Sequence, residues 1–331
     1  MNWARLHDPL LLLYVGLAID AMCGEMGPVF RRIPHPVVLA GRAITFFEAR
    51  LNRPIRSDSA RRVRGVLTVI VLVGAAAALG WLIQWECRTS VAGAVVEAAI
   101  IGVLLAQRSL YNHVAAVSTA LIHGGLISGR LAVSQIVGRD PESLDGAGIA
   151  RAAIESLAEN FSDGVVAPVF CYLLLGLPGL LAYKMANTLD SMIGHRSERY
   201  RAYGWAAARL DDLLNLIPAL ITGLLLVFAS IFDHENSAVN ALRIMLRDGR
   251  KHRSPNAGWP EAAMAGALGI ALAGPRHYDE GTVDDPYLGD GSPIATPQDI
   301  NRALNLYFRA CVILGMLVMG AWLTHHLMQP G

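Results

Sequence analysis

Between Val66 and Gln84 the chain runs for 19 residues without one charged side chain. About 20 such residues carry an α-helix across the roughly 30 Å hydrocarbon layer of a bilayer. Lipid offers no partner to backbone N–H and C=O groups, so a stretch this apolar satisfies them as a helix. Composition extends the constraint to the whole chain: 53% of the 331 residues are hydrophobic, 17% are charged, and the mean hydropathy is +0.40. Soluble domains are nearer one quarter charged. The expected class is an all-α, polytopic integral membrane protein.

About five transmembrane helices are expected, plus a re-entrant or buried helical segment. Pro9–Pro28 reads as a first anchor that stays, interrupted by Asp20 and Glu25, with no small-residue cleavage site after its apolar run. Val66–Gln84 and Val91–Gln107 follow, the latter with Glu97 as its only charge. Leu213–Phe232 crosses with Pro218 as a kink, and Phe308–Leu327 is the last span. Val165–Tyr183 is broken by Gly176-Leu177-Pro178-Gly179 and has basic residues on both sides, which fits a re-entrant hairpin. Ala262–Ala273 is too short to cross and reads as a buried helix.

Residues 31–64 carry nine arginines and no lysine, which places them in the cytoplasm and the N-terminus outside. Strict alternation then puts the basic segment Arg243–Arg253 outside; either one segment is re-entrant or the span list is off by one. The chain reads as a single membrane-embedded domain, residues 1–331, in the cell (inner) membrane. Its polar blocks, residues 108–164, 183–215 and 243–262, form a site on the cytoplasmic face. Gly274–Gln298, rich in Gly, Pro and Asp, reads as a flap over that face.

Other classes fall away. A net charge of +1 with dispersed basic residues, and 7% aromatics, gives no nucleic-acid surface. Cys23, Cys87, Cys171 and Cys311 are far apart and lack ligand spacing, so neither a disulfide scaffold nor a zinc site is expected.

The charged and amide side chains are concentrated between Glu155 and Asn215. Glu155, Glu159 and Asp163 are four apart and would share one helix face, with Asn160 beside them. Stacked acids repel unless a cation sits among them, so Mg²⁺ held by carboxylate and amide oxygens is one reading; a capped amphipathic helix is the other. Asn187, Asp190 and Gly194 repeat the pattern at three and four, with Lys184 one turn before Asn187, beside the apolar hairpin, where polar groups are either satisfied or used. Lys184 either neutralises Asp190 or holds a phosphate. Arg209, Asp211, Asp212 and Asn215 are a metal pair with its orienting groups, or the salt-bridged start of a span. Arg247 to Ala262, with Lys251, Arg253 and Asn256 in a turn of two prolines, suits an anion at a helix N-terminus or an interfacial Trp259 anchor. His35-Pro36 reads as a structural turn.

Five of these stretches together resemble the CobD/CbiB family of cobalamin biosynthesis proteins: His35-Pro36-Val37, Glu155–Pro168, Tyr183–Gly194, Ala207–Pro218 and Ser254–Gly266. The turn Gly274-Pro275 before Tyr278 matches as well. The resemblance covers most of the chain, in order. One departure is Leu220, where the family usually carries Arg; Arg209 is the base that would stand in for it.

The resemblance implies an acid–amine ligase of the adenosylcobinamide-phosphate synthase type. It would join the free propionate of adenosylcobyric acid to (R)-1-amino-2-propanol or its O-phosphate, using ATP and Mg²⁺. Asp163, Asp190, Asp211 and Asp212 would then hold metal. Asn160, Asn187, Asn215 and Asn256 would orient phosphates or corrin amides, and Lys184, Arg209, Lys251 and Arg253 would bind phosphate. Glu159, Asp163 and Asp190 are the catalytic candidates, Glu159 taking the proton from the attacking ammonium. The implied partners are the corrinoid, the aminopropanol, the lipid bilayer and other membrane-associated enzymes of the pathway. Two other readings stand beside it: a transporter using Asp20, Glu97 and the Gly176–Gly179 turn, and a non-catalytic membrane scaffold.

Overall fold

The computed structural model describes residues 6–24, 30, 34–138, 141–278, 281–283 and 285–328, with backbone alone at 276–278 and 281–283. Arg31, Arg32 and Glu25 lie outside the described residues. The chain is helical apart from short strands. In order come α1 (Pro9–Cys23), α2 (Pro36–Leu51), α3 (Asp58–Cys87), α4 (Val91–Leu104), α5 (Gln107–Val133) and α6 (Gly146–Phe161). A π-helical turn (Ser162–Val166) leads into α7 (Ala167–Ile193), followed by α8 (Trp205–Ala229), α9 (Ala238–Asp248) and α10 (Gly258–Leu268). Strands β1 (Leu272–Ala273), β2 (Arg276–Tyr278), β3 (Gly281–Val283) and β4 (Tyr287–Leu288) precede α11 (Pro297–Met328).

Five helical stretches are long and apolar enough to cross a membrane: Asp58–Cys87, Val91–Val133, Gly146–Ile193, Trp205–Phe232 and Pro297–Met328. The number matches expectation but the membership does not. The described part of the first anchor, α1, has 15 residues, about 22 Å of helix and short of the hydrocarbon thickness. Gly146–Ile193 takes its place.

That stretch is not one rod. Gly176 has φ 68° and ψ −153°, a conformation that is essentially glycine's alone. A Cβ on Gly179 would lie 2.3 Å from the carbonyl oxygen of Cys171, although eight residues of straight helix span about 12 Å. Tyr183 likewise packs on Ala167 and Cys171. The chain therefore doubles back at Gly176 as a helical hairpin, whose arms reach further than the expected Val165–Tyr183. Gly125 (φ 67°) breaks α5 in the same way.

The chain divides into two compact units: Met1–Ala106 with Ala167–Asn215 and Val318–Gly331, and Gln107–Val166 with Leu216–Leu317. In the first, glycines let helices touch backbone to backbone. Gly80 of α3 abuts the Leu177–Pro178 backbone of α7, Gly65 abuts the carbonyl of Tyr203, and Gly16 and Gly102 close α1 onto α4. Glu97 is buried and accepts from Gln84 (3.0 Å) and the Tyr172 hydroxyl (2.9 Å), beside the hairpin's tip. The carboxylate that the transporter reading needs is thus engaged in packing. Along the other end of α3, Arg199 forks onto buried Glu48 (2.9 and 3.0 Å), while Arg61 and Asn52 reach the Arg199 carbonyl. The arginine-rich segment and the link after α7 are thereby bound together. His35 caps α2, its Nδ1 accepting from Val37 N–H (3.2 Å), with Pro36 opening the helix.

In the second unit, α6 is buried along nearly all of Gly148–Ala158 and α10 along Gly258–Leu268. The expected buried helix at Ala262–Ala273 is therefore present but begins at Gly258 and ends at Leu268, where Gly269 (φ 69°) caps it. Leu272–Ala273 is strand. β1 pairs antiparallel with β4 (Leu272 with Leu288, Ala273 with Tyr287) and β2 with β3, so part of the expected flap is a β-ribbon.

Candidate active site

In the first unit, the two halves of the polar block 183–215 meet. Asn187 and Asp190 project from α7, and Asp211 and Asn215 from the first turns of α8. Asp211, the seventh residue of α8, is buried and accepts Asn187 Nδ2 at 3.2 Å and Asn215 Nδ2 at 3.0 Å, one on each oxygen. Asn215 is wholly buried and accepts the Tyr183 hydroxyl at 2.9 Å. Asp190 is close enough to act electrostatically on Asp211. Its carboxylate folds back over the end of α7, where a Cβ on Gly194 would lie 1.9 Å from Asp190 Oδ1; only glycine leaves that room. Asp212 faces another way and pairs with Arg209 at 3.1 Å, largely in the open. Arg209 is thus engaged within its own helix, and Leu220, two residues past Pro218, is exposed.

Lys184 lies on a different face of α7. It lines a cavity of about 300 Å³ with Pro36, Ala40, Ala76 and Leu104. Two of the stretches that carry the resemblance, His35-Pro36-Val37 and Tyr183–Gly194, therefore share its wall.

The second unit holds the other candidates. Glu155, Glu159 and Asp163 differ in their surroundings. Glu155 is buried and accepts the Ala273 N–H at 2.8 Å, Glu159 is exposed, and Asp163 falls in the π-helical turn. Glu155 and Glu159 stay one turn apart within α6, and the wider π turn shifts only Asp163 from that register. Such turns occur frequently at functional sites. Asn160 donates to the Ser156 carbonyl (2.9 Å) and hydroxyl (3.2 Å).

In the Arg247–Ala262 turn, Asp248 is fully buried. It accepts Arg247 through both oxygens (2.7 and 2.6 Å), Lys251 at 2.6 Å and the Gly289 N–H at 2.9 Å. Burial alone would raise its carboxyl, but these donors hold it well below the usual carboxylate range. Arg247 likewise holds Asp290 down. Lys251, read from sequence as a phosphate ligand, therefore already neutralises an acid. Arg253 is exposed, and Asn256 is buried behind Ser254, whose Oγ accepts the Asn256 N–H at 3.2 Å.

Two participants were missed in sequence. Tyr183 was legible as an aromatic with a polar tip one turn before Asn187. Asp248 was not, because nothing local marks it as buried. Among the described residues, no three of Asp, Glu, His or Cys gather as a metal-holding group. Mg²⁺ takes only one or two carboxylates beside phosphates and water, and Asp211, oriented by two amides with Asp190 at hand, fits that demand.

Comparison with known proteins agrees with the resemblance. The family model described as CobD/Cbib protein matches residues 13–307. A Sinorhizobium protein named "Cobalamin biosynthesis protein CobD" is 51% identical over 314 residues, 94% of this chain and 97% of that protein. Its namesake in Brucella suis biovar 1 is 50% identical over 318 residues (95% and 97%), and that in Rhodobacter capsulatus is 46% identical over 307 (93% and 95%). No solved structure matches. With the polar blocks, their order and nearly the whole length in common, the chain belongs to the CobD/CbiB family.

Proposed function

We propose that the protein acts in cobalamin biosynthesis as a membrane-bound acid–amine ligase. It would join the free propionate of adenosylcobyric acid to (R)-1-amino-2-propanol or its O-phosphate. A carboxylate is a poor electrophile. Its oxygen takes the γ-phosphoryl group of ATP and releases ADP; the amine nitrogen then attacks the acyl carbon, a proton leaves the nitrogen, and phosphate departs with the former carboxylate oxygen.

The observation that carries this reading is the Tyr183–Asn215–Asp211–Asn187 network, built from two of the stretches that the family resemblance singled out. Two amides fix Asp211 from both sides, as a carboxylate that meets Mg²⁺ requires, with Asp190 as its partner. When bound, Mg²⁺ would draw charge from the ATP phosphates. Lys184 and Arg253 would bind anionic groups, and Glu159 or Asp163 would accept the ammonium proton. The arginines beside Glu48 and Asn52 favour a cytoplasmic position for this end of the first unit. The test incubates purified protein with adenosylcobyric acid, aminopropanol phosphate, ATP and Mg²⁺ and looks for the amide by mass spectrometry. Intact substrate with no amide would remove the reading.

A further inference from the structure

Both ends of the β-ribbon in the second unit rest on buried carboxylates that are distant in sequence. Where the ribbon begins, Ala273 has φ 56°, the one non-glycine with positive φ among the described residues. Its N–H donates to Glu155 Oε1 at 2.8 Å, across 118 residues, and Glu155 is only 5% exposed. Gly274 follows with φ 83°, and the Tyr287 ring lies 2.3 Å from where its Cβ would be. Where the ribbon ends, Gly289 (φ 95°) donates its N–H to Asp248 Oδ2 at 2.9 Å. Asp248 is held by Arg247 and Lys251, and Asp290, which follows Gly289, by Arg243 (3.0 Å) and Arg247 (2.8 Å). Between the two anchors lie the β1–β4 pair and, beyond it, β2–β3.

An alanine in the left-handed region is unfavourable and persists only where its surroundings over-determine it. A buried carboxylate is costly unless its hydrogen bonds are made. The chain accepts both costs at one place, where Glu155 meets Ala273. We infer that Glu155 and Asp248 are positioning residues. They clasp the base of the ribbon and so fix where the Gly274-Pro275 turn and Tyr278 are presented. Glu155 thus serves through its acceptor oxygen and not as one of a row of metal-binding acids. Its effect on turnover rests on the ligase reading; the clasp itself does not.

Arg276 is the single Lys or Arg between Arg253 and Arg302, so trypsin reports on the ribbon directly. The full-length protein in detergent is compared with E155Q, E155A and E155A/A273G. Gln keeps an acceptor oxygen, so E155Q should be cut at Arg276 within about twofold of the wild-type rate, and E155A about five- to tenfold faster. Glycine adopts the left-handed conformation without strain, so A273G should return most of the protection. If E155A does not accumulate, E155M, which keeps the volume, replaces it.

In the amide-forming assay, E155A should raise KM for the corrinoid more than it lowers kcat, and E155Q should restore both. The inference is overturned if cleavage at Arg276 is unchanged in E155A. It is also overturned if cleavage rises equally at sites outside the ribbon with no rescue by A273G, or if E155Q loses turnover as fully as E155A. Were the wild type to form no amide, the ligase reading would fall, while the cleavage rates would still decide the clasp.

Discussion

Asp211 accepts an amide N–H on each oxygen, and Tyr183 in turn fixes one of those amides. Side-chain hydrogen bonds inside membrane proteins average about 0.6 kcal/mol and reach about 1.7. Tyr183→Phe should therefore cost little in folding, roughly 1 kcal/mol or less by thermal unfolding in detergent. It should nevertheless lower kcat several-fold, because the Asp211 carboxylate loses its fixed orientation; an unchanged kcat would make the network structural. Asp190 acts on Asp211 electrostatically. Asp190→Asn should lower turnover by at least about 100-fold, more than the loss of an outer-shell partner, with normal expression and membrane insertion. Near-wild-type activity would mean that Asp190 only finishes its helix over Gly194. What sequence showed at this scale was which residue types cluster. It did not show their partners, because Asn187 and Asp211 lie 24 residues apart on separate helices. For Glu155, Glu159 and Asp163 the local period runs through α6 and shifts only at the π turn; what it did not report is burial, which separates Glu155 from Glu159.

At the scale of elements, glycine decides where helices turn. Gly176 needs φ 68° with ψ −153°, and a Cβ there would meet the Gln84 side chain at 2.7 Å. Gly176→Ala should cost about 1–3 kcal/mol, read as a lower thermal midpoint and lower yield. A wild-type midpoint would show that the hairpin does not depend on this conformation.

The ribbon's far anchor carries a pH prediction. Asp248 is depressed in the folded state, so its contribution is fully present above the unfolded carboxylate value and is lost only as pH falls through the lower folded one. Hydrogen exchange at the Gly289 amide, corrected for intrinsic rate, should keep its protection from pH 7 down to about pH 4. Protection that fades near pH 6 would contradict the clasp. The Gly176–Gly179 break was legible because glycine and proline act locally. The ribbon was not, since its strands are two or three residues long and its anchors come from α6 and α9.

Over the whole molecule, the uncharged run at Val66–Gln84 sits within α3, and the helical membrane class follows from it. The described helix of the first anchor stops at Cys23, and the arms of the expected hairpin were read too short, because hydropathy registers apolar runs and not the polar turns of helix that continue them. The polar blocks are legible as groups within each unit: Asn187, Asp190, Asp211 and Asn215 in one, Glu155 with the Asp248 turn in the other. The ligase chemistry proposed for the protein is open to one direct measurement. Adenosylcobyric acid labelled with ¹⁸O in its free carboxylate is incubated with the purified protein, ATP, Mg²⁺ and aminopropanol phosphate. The account predicts an amide product, with one labelled oxygen appearing in inorganic phosphate for each amide formed. No amide, or amide formed without label in phosphate, would contradict it.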